Sequence, residues 1–310
     1  MNTISRNIHP ILCSICIPTY CRPLLLKKLL RSLEAQVLPE HVRLEIIVVD
    51  NDPNQTAKPV VTQFRDSQKI HFHYYIQPRK NISLTRNLSI EKAGGEFILF
   101  IDDDEKATPG WVSNLIFARQ IYNADGVIGK MLPEFHEQAP QWVRREEFYY
   151  SKMTATGTLA KFLYAGNCLV KAELLKNKKG PFDIEYGLTG SEDAQLFESL
   201  VQGGAKFVNC QEAVATEYIP LERTTLPFFF KRGMRGGNGH TRRVLEAAVE
   251  HILKMRIFMF GKSLAFGAIS LALFILLFPN PYQRVKWLLK LGSNCGRFLA
   301  AVNLRFNGYK

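Results

Sequence analysis

The residues that could do chemistry gather first at Phe97-Ile98-Leu99-Phe100-Ile101-Asp102-Asp103-Asp104-Glu105, where five apolar residues run into four acids. Four adjacent carboxylates repel one another and raise each other's pKa unless a cation lies among them, so the cluster predicts a divalent metal and, with it, a phosphorylated ligand. Capping a helix or turn needs one carboxylate, not four. Lys231-Arg232-Gly233-Met234-Arg235 is a basic counterpart. Arg232 and Arg235 share a helical face and could reach one diphosphate, or simply form a solvated basic helix. Cys13 and Cys16 make a CxxC with no second pair, on an expected strand where a spacing of three puts them on opposite faces. Zinc is therefore not expected, and the six cysteines read as reduced thiols of a cytosolic protein.

These groups need elements to place them. Leu12 to Ile17 reads as a first buried strand rather than a leader, because it is short, closed by Pro18 and has no cleavage site. Pro23 suits the first residue of a helix in which Leu25, Leu29, Leu30 and Leu33 keep helical spacing. Leu44 to Val49 predicts a second strand ending at Asp50-Asn51-Asp52-Pro53, and Ile70 to Ile76 a third. Asn81 to Ala93 is expected to be helical and to end at Gly94-Gly95, before the Phe97 strand. Further on, strands are expected over residues 163–170 and 205–209, and a helix over 192–201.

Strand and helix alternate at short intervals, which predicts an α/β fold with a mostly parallel central sheet and helices on both faces. Open sheets of this kind bind ligands at their carboxyl edge, where Asp50, Asp102 and Asp104 would gather. A dehydrogenase would need GxGxxG after the first strand, and here stands Pro18-Thr19-Tyr20-Cys21. A haloacid-dehalogenase-type phosphatase wants Thr or Val two residues after the second Asp, and here stands Lys106.

Charge is unevenly placed. The net charge is +12, and residues 221–310 hold 15 Lys/Arg against 3 Asp/Glu, so the basicity belongs to the C-terminal part. No nucleic-acid module accompanies it, which argues against a nucleic-acid partner. Ile257 to Phe278 is apolar except for Lys262, long enough to span a bilayer. Basic residues flank both ends, however, so a single crossing would put one flank on the wrong side. Pro279-Asn280-Pro281 forces a turn, after which Val285, Leu288, Leu289, Leu299, Val302 and Phe306 mark one helical face. The expectation is a helical hairpin that dips into an anionic membrane surface and returns, with a true crossing or a soluble helical cap as alternatives. Domain boundaries follow: 9–245 for the catalytic domain and 246–310 for the basic, apolar hairpin.

Several segments carry a resemblance. Ser14 to Tyr20, Val48-Val49-Asp50-Asn51, Asn81 to Asn87, Asp102-Asp103-Asp104, Gly166 to Val170 and Gly187 to Asp193 resemble, in order, the signatures of family 2 glycosyltransferases. The set is most similar to the succinoglycan-type branch, bacterial enzymes that build exopolysaccharide repeat units. The resemblance implies a GT-A fold and a metal-dependent inverting glycosyltransferase using Mg or Mn. The implied donor is a nucleotide-sugar, UDP-linked rather than GDP-linked. The acceptor would be a lipid-linked or surface-polysaccharide glycan at the cytoplasmic face of a bacterial inner membrane.

By the same resemblance, Pro18, Thr19, Asp50 and Asn51 would face the nucleoside, and Asn81 and Arg86 the base and phosphates. Asp102 would lie toward the ribose and Asp104 toward the metal, with Asp103 in the variable place of the DxD motif. Asp193 matches the catalytic base, although the adjacent Glu192 could serve, and the pair could merely supply first-turn charge to a helix. Arg232 and Arg235 stand where relatives carry an RxxR-like or QxxRW element, here without the tryptophan. His240 is a candidate third metal ligand or a structural histidine. The phosphatase and a non-catalytic nucleotide-sugar-binding module are the alternatives to the enzyme.

Overall fold

The computed structural model describes residues 10–306, so the expected start at residue 9 and the last four residues of the 246–310 segment lie outside the described residues. The chain forms two compact units. The first comprises Met1–Leu132, Met153–Ile184 and Leu196–Glu217, and the second Pro133–Lys152, Glu185–Gln195 and Tyr218–Lys310.

In chain order the elements are β1 (Ile11–Thr19), α1 (Pro23–Glu34), β2 (Val42–Asp50), α2 (Lys58–Thr62), β3 (His71–Ile76) and α3 (Ile82–Lys92). Then come β4 (Phe97–Ile101), β5 (Glu105–Ala107), α4 (Trp111–Ile121), β6 (Gly126–Phe135), β7 (Asn167–Lys171) and α5 (Ala172–Lys176). The chain closes with α6 (Glu192–Gln202), β8 (Phe207–Ile219), α7 (Leu226–Ala247), α8 (Ile252–Leu276) and α9 (Pro281–Ala301).

The eight strands form one sheet in the order β3-β2-β1-β4-β7-β6-β8-β5. The first four are parallel, and β7 then runs antiparallel to β4 and β6 to β7. The sheet is thus mixed: its parallel half is the part read from strand–helix alternation, and the antiparallel half follows from loops that alternation does not reveal. All five residues of β4 are buried, as its unbroken apolar run requires for a strand covered on both faces. Phe100 meets Phe182 edge-on, with ring centroids 5.7 Å apart. In α1, Leu26, Leu29, Leu30 and Leu33 form the buried stripe. Cys13 and Cys16 are both buried in β1, and burial pushes each thiol up to about 12, which suits core packing and not metal ligation.

Two expected strands differ in extent. The one read over 163–170 is β7 alone, because Leu163 and Tyr164 pack partly buried against the core instead of pairing. The one read over 205–209 continues to Ile219, and its far end pairs with β5.

The second unit is helical and held by different means. Along α7 and α9, Gly233, Gly237, Gly292 and Gly296 face backbone, not side chains. A Cβ on Gly237 would lie 1.9 Å from the Ser293 carbonyl oxygen, and one on Gly296 2.0 Å from that of Met234. Two GxxxG spacings thus lie seam to seam, the arrangement that lets helix backbones approach closely. Asn238 of α7 extends the seam by donating to the carbonyls of Gly296 (3.2 Å) and Leu304 (2.9 Å). An aromatic cluster that includes Phe148, Tyr149 and Phe229 packs with Val285 and Leu288 of α9.

Candidate active site

The site of the first unit is set by strand register. Thr19, the last residue of β1, pairs with Asp50, the last of β2, and Asn51 N–H donates to the Thr19 carbonyl at 2.8 Å. Cys16 pairs with Phe100, so the parallel strands end together and Asp102 to Asp104 leave β4 beside Thr19. The antiparallel partner places Asn167 against Ile101 and hence Gly166 beside the acids. That glycine is required: a Cβ there would come within 2.6 Å of a Glu105 carboxylate oxygen.

Two guanidinium groups supply the cations that the acids demand. Arg22 donates through one nitrogen to Asp103 at 3.1 Å and Asp104 at 2.9 Å. Arg86, buried in α3, meets Asp102 at 2.9 Å. Asp103, expected to be a bystander, is instead the buried hub of the turn. It accepts from Thr19 Oγ1 at 2.8 Å, from the Tyr20 N–H at 3.4 Å and from Arg22. Burial pushes its carboxyl up to about 7, against the pull of Arg22. Glu105, the last acid of the cluster, is also buried and accepts the Asp102 N–H at 3.0 Å. Its carboxyl is driven well above the ordinary range by burial first and by Asp102 second.

The other residues expected around the nucleoside mostly hold loops. Pro18 lies buried in β1. Asp50 is fully buried and accepts from the backbone N–H of Asp52 and of Ala57, each at 3.0 Å, and from the Tyr74 hydroxyl at 2.9 Å. Asn51 donates to the carbonyls of Gln77 (2.5 Å) and Arg79 (2.8 Å) and accepts from the Asn81 N–H at 2.9 Å. Asn81 caps α3, accepting from the Leu84 N–H at 3.1 Å. Asp52 accepts from the Asn54 N–H at 2.9 Å, the turn role its place before Pro53 suggests.

In the second unit, Glu192 and Asp193 open α6 after a constrained loop. Gly190 and Ser191 both adopt positive φ (+81° and +73°), a conformation that costs a serine strain. Helix α7 clamps this loop at three points. Tyr186 donates to Glu246 at 2.6 Å, buried Arg242 donates to Thr189 at 2.8 Å while lying 4.0 Å over the Tyr186 ring, and Ser191 fills the space left by Gly239. Glu192 is 3% exposed, whereas Asp193 is half-buried and accepts the Ala194 N–H at 2.7 Å. Arg232 donates to the Tyr149 carbonyl, Arg235 is half-buried, and His240 is exposed on α7.

Sequence reasoning missed Arg22 and Arg242, and it saw Asp103 and Glu105 only as members of the acidic cluster, without their separate roles. One signal was present for Arg22: it occupies the N-cap of α1, whose first turn holds no acid. A cation is disfavoured at that positive end of the helix dipole unless acids face it. No comparable signal marks Arg242.

The donor set at the sheet edge fits a hard divalent ion. Among the described residues no three His, Cys, Asp or Glu side chains gather as a metal cluster. Mg-type sites do not need one, since one or two carboxylates together with substrate phosphates and water suffice. Asp102 and Asp104 would supply two carboxylates to such an ion, and Arg22 and Arg86 already offset their charge.

The comparisons agree with this architecture. The succinoglycan biosynthesis protein ExoM of Rhizobium meliloti (strain 1021) is 28% identical over 93% of this chain and 92% of its own length. A Campylobacter jejuni GalNAc(5)-diNAcBac-PP-undecaprenol beta-1,3-glucosyltransferase is 25% identical over 56% of this chain and 55% of its own. Among solved structures, the mannosyltransferase PcManGT from Pyrobaculum calidifontis, in complex with GDP-Man and Mn2+, superposes with a TM-score of 0.65 at 15% identity, covering 94% of this chain and 88% of that one. This likeness shows a GT-A fold. The profile of glycosyl transferase family 2 matches residues 14–177, more than half of the chain, so the protein belongs to that family and is a glycosyltransferase.

Proposed function

We propose that the enzyme is a metal-dependent inverting glycosyltransferase. It would move a sugar from a nucleotide-sugar, UDP-linked on the strength of the family resemblance, to a hydroxyl of a lipid-linked or surface-polysaccharide glycan. The observation that carries the reading is the sheet edge, where Asp102 meets Arg86 and Asp104 meets Arg22, each at 2.9 Å. Asp102 and Asp104 would hold a Mg or Mn ion, which when bound supplies Lewis-acid neutralisation of the diphosphate leaving group. Arg22 and Arg86 are placed to share the diphosphate charge, and Asp103 and Glu105 keep the acidic turn rigid.

Asp193 is the base in this reading. It takes the proton of the acceptor hydroxyl as that oxygen attacks the anomeric carbon. The bond from that carbon to the diphosphate oxygen breaks as the new one forms, and the configuration inverts. Asp193 is preferred to Glu192 because an incoming hydroxyl needs an open face, and Glu192 is buried. Arg232 and Arg235 remain candidates for the diphosphate and His240 for the metal. Residues 9–245 carry transfer in this scheme, and 246–310 attach the enzyme to the cytoplasmic face of an inner membrane. A lipid-linked acceptor would be met there; the Campylobacter relative is named for glucosyl transfer to a PP-undecaprenol-linked glycan.

A nucleotide-sugar panel tested by thermal shift examines the donor side, because a ligand that binds only the folded state raises apparent stability, by about 2.7 kcal/mol at a hundredfold excess over Kd. UDP-sugars should shift the transition with Mn present and lose that shift in EDTA. Asp193→Asn should keep the donor shift yet lose about 10²- to 10⁴-fold in transfer. Normal transfer by that variant would remove Asp193 from the mechanism.

A further inference from the structure

Helix α8 is built inside out for water. Its buried residues are Met259, Ser263 and Ser270, while Leu253, Ile257, Leu264, Ile275 and Leu276 are exposed, the last to 73%. A surface helix normally buries its apolar stripe and shows its polar one. Here the serines turn inward: Ser270 donates to the Phe266 carbonyl at 2.7 Å and accepts from Asn294 of α9 at 3.2 Å. The outward face is apolar from Leu264 to Leu276, with Lys254 and Lys262 exposed nearer the start of the helix.

The chain that carries that face is basic, although Arg305 pairs with Glu185 at 2.5 Å. Residues 251–310 contain nine Lys/Arg and no Asp or Glu. Around the turn into α9, cations lean on ring faces. Arg284 lies 5.2 Å from the Trp142 ring and 5.0 Å from Phe278, and Lys290 lies 4.2 Å from Trp287. Lys286 lies 6.0 Å from Tyr282, and Arg145, which also has Glu147 at 3.6 Å, lies 5.2 Å from the same ring. Arg284 Nε and Trp287 Nε1 are buried donors with no acceptor among the described residues. Aromatic rings with Lys and Arg beside an apolar face are the chemistry of the headgroup layer.

The glycine seam constrains how α8 meets lipid. Helix α9 runs back along α8 and is locked to α7 through Gly233, Gly237, Gly292 and Gly296. Carrying the turn across a bilayer would pull Arg284, Lys286 and Lys290 through it with α9, at about 2.5–3.5 kcal/mol or more for each charge at the centre. Lying flat costs none of this.

We propose that α8 lies in the plane of an anionic bilayer surface, and that Arg284, Lys286, Lys290 and Arg145, framed by Trp142, Tyr282 and Trp287, form a seat for lipid phosphates. The inference rests on the attachment to an anionic membrane surface stated above and adds the residues and the orientation. Flotation of the full chain with phosphatidylcholine vesicles, with and without phosphatidylglycerol, separates the two levels. The seat predicts strong, salt-sensitive binding to the anionic vesicles. Exchanging Arg284, Lys286 and Lys290 together for Gln should weaken it about fivefold per cation, so about a hundredfold in all. Equal binding to both vesicles, or an unaffected triple variant, overturns the seat and leaves attachment standing. No binding to any vesicle overturns both. In a Trp142→Phe variant, quenching of Trp287 by brominated lipids should be strongest for bromines near the headgroup. Strongest quenching at the bilayer centre contradicts the in-plane orientation.

Discussion

The two units are consolidated by opposite devices. In the first, large apolar side chains fill a sheet buried on both faces, with Phe100 and Phe182 at its centre. In the second, α7 and α9 close on each other where side chains are missing altogether. The first unit therefore fails when volume is removed and the second when volume is added. The same contrast extends to charge: the sheet edge concentrates acids that require cations, while the last helices carry cations with no acids at all. In the function proposed above, the first unit would hold the donor and the last helices of the second would attach the enzyme, while the base Asp193 also lies in the second.

That contrast can be broken by exchange of size. Gly237→Val should be the most damaging change, because even its Cβ would meet the Ser293 carbonyl oxygen at 1.9 Å, and overpacking a tight site costs about 1–3 kcal/mol even where side chains can yield. Urea unfolding should show the loss at or above the top of that range; a cost below 1 kcal/mol would mean that the helices are not locked. Phe100→Ala, the reverse exchange in the first unit, should cost about 3–5 kcal/mol through the cavity it leaves.

Smaller effects sharpen the comparison within the second unit. Arg242→Ala should lower turnover about tenfold or more, since misplacing a catalytic group by an ångström costs up to about a hundredfold. The donor-induced thermal shift should be unchanged, and Arg242→Lys should not restore turnover, because an ammonium cannot both stack on Tyr186 and hold Thr189 as a planar guanidinium does. A variant that loses donor binding equally would assign Arg242 to general stability instead. Gly236→Ala is the control on the open side of α7, where a Cβ meets nothing within 4 Å. It should stabilise by about 0.5–1 kcal/mol, the helix-propensity difference alone.

Much of the first unit was legible in sequence, because its instructions are local. The buried run Phe97 to Ile101 and the Pro23 helix start each act within a few residues and appear where expected, and the helix read from Asn81 starts at Ile82 with Asn81 as its cap. The acids of Asp102 to Glu105 were legible as a cluster, but not their division of labour. That Asp103 and Glu105 turn inward depends on Thr19, Arg22 and Gly166, which reach them only through strand register. In the second unit, the apolar run of α8 and the break at Pro279-Asn280-Pro281 were plain. The glycine seam was not, since a GxxxG has meaning only opposite its partner, and Lys231 to Arg235 drew attention by charge while Gly233 between them made the contact.

The most direct test of the account is the rate of nucleoside diphosphate release from a matched nucleotide-sugar and acceptor, compared between the intact enzyme and Asp104→Ala in the presence of Mn. Loss of one preorganised group that stabilises developing charge costs about 10²- to 10³-fold. The account predicts that loss for the variant, along with a rate in EDTA as low for the intact enzyme. A variant that releases diphosphate at the intact rate, with Mn making no difference to either protein, would contradict it.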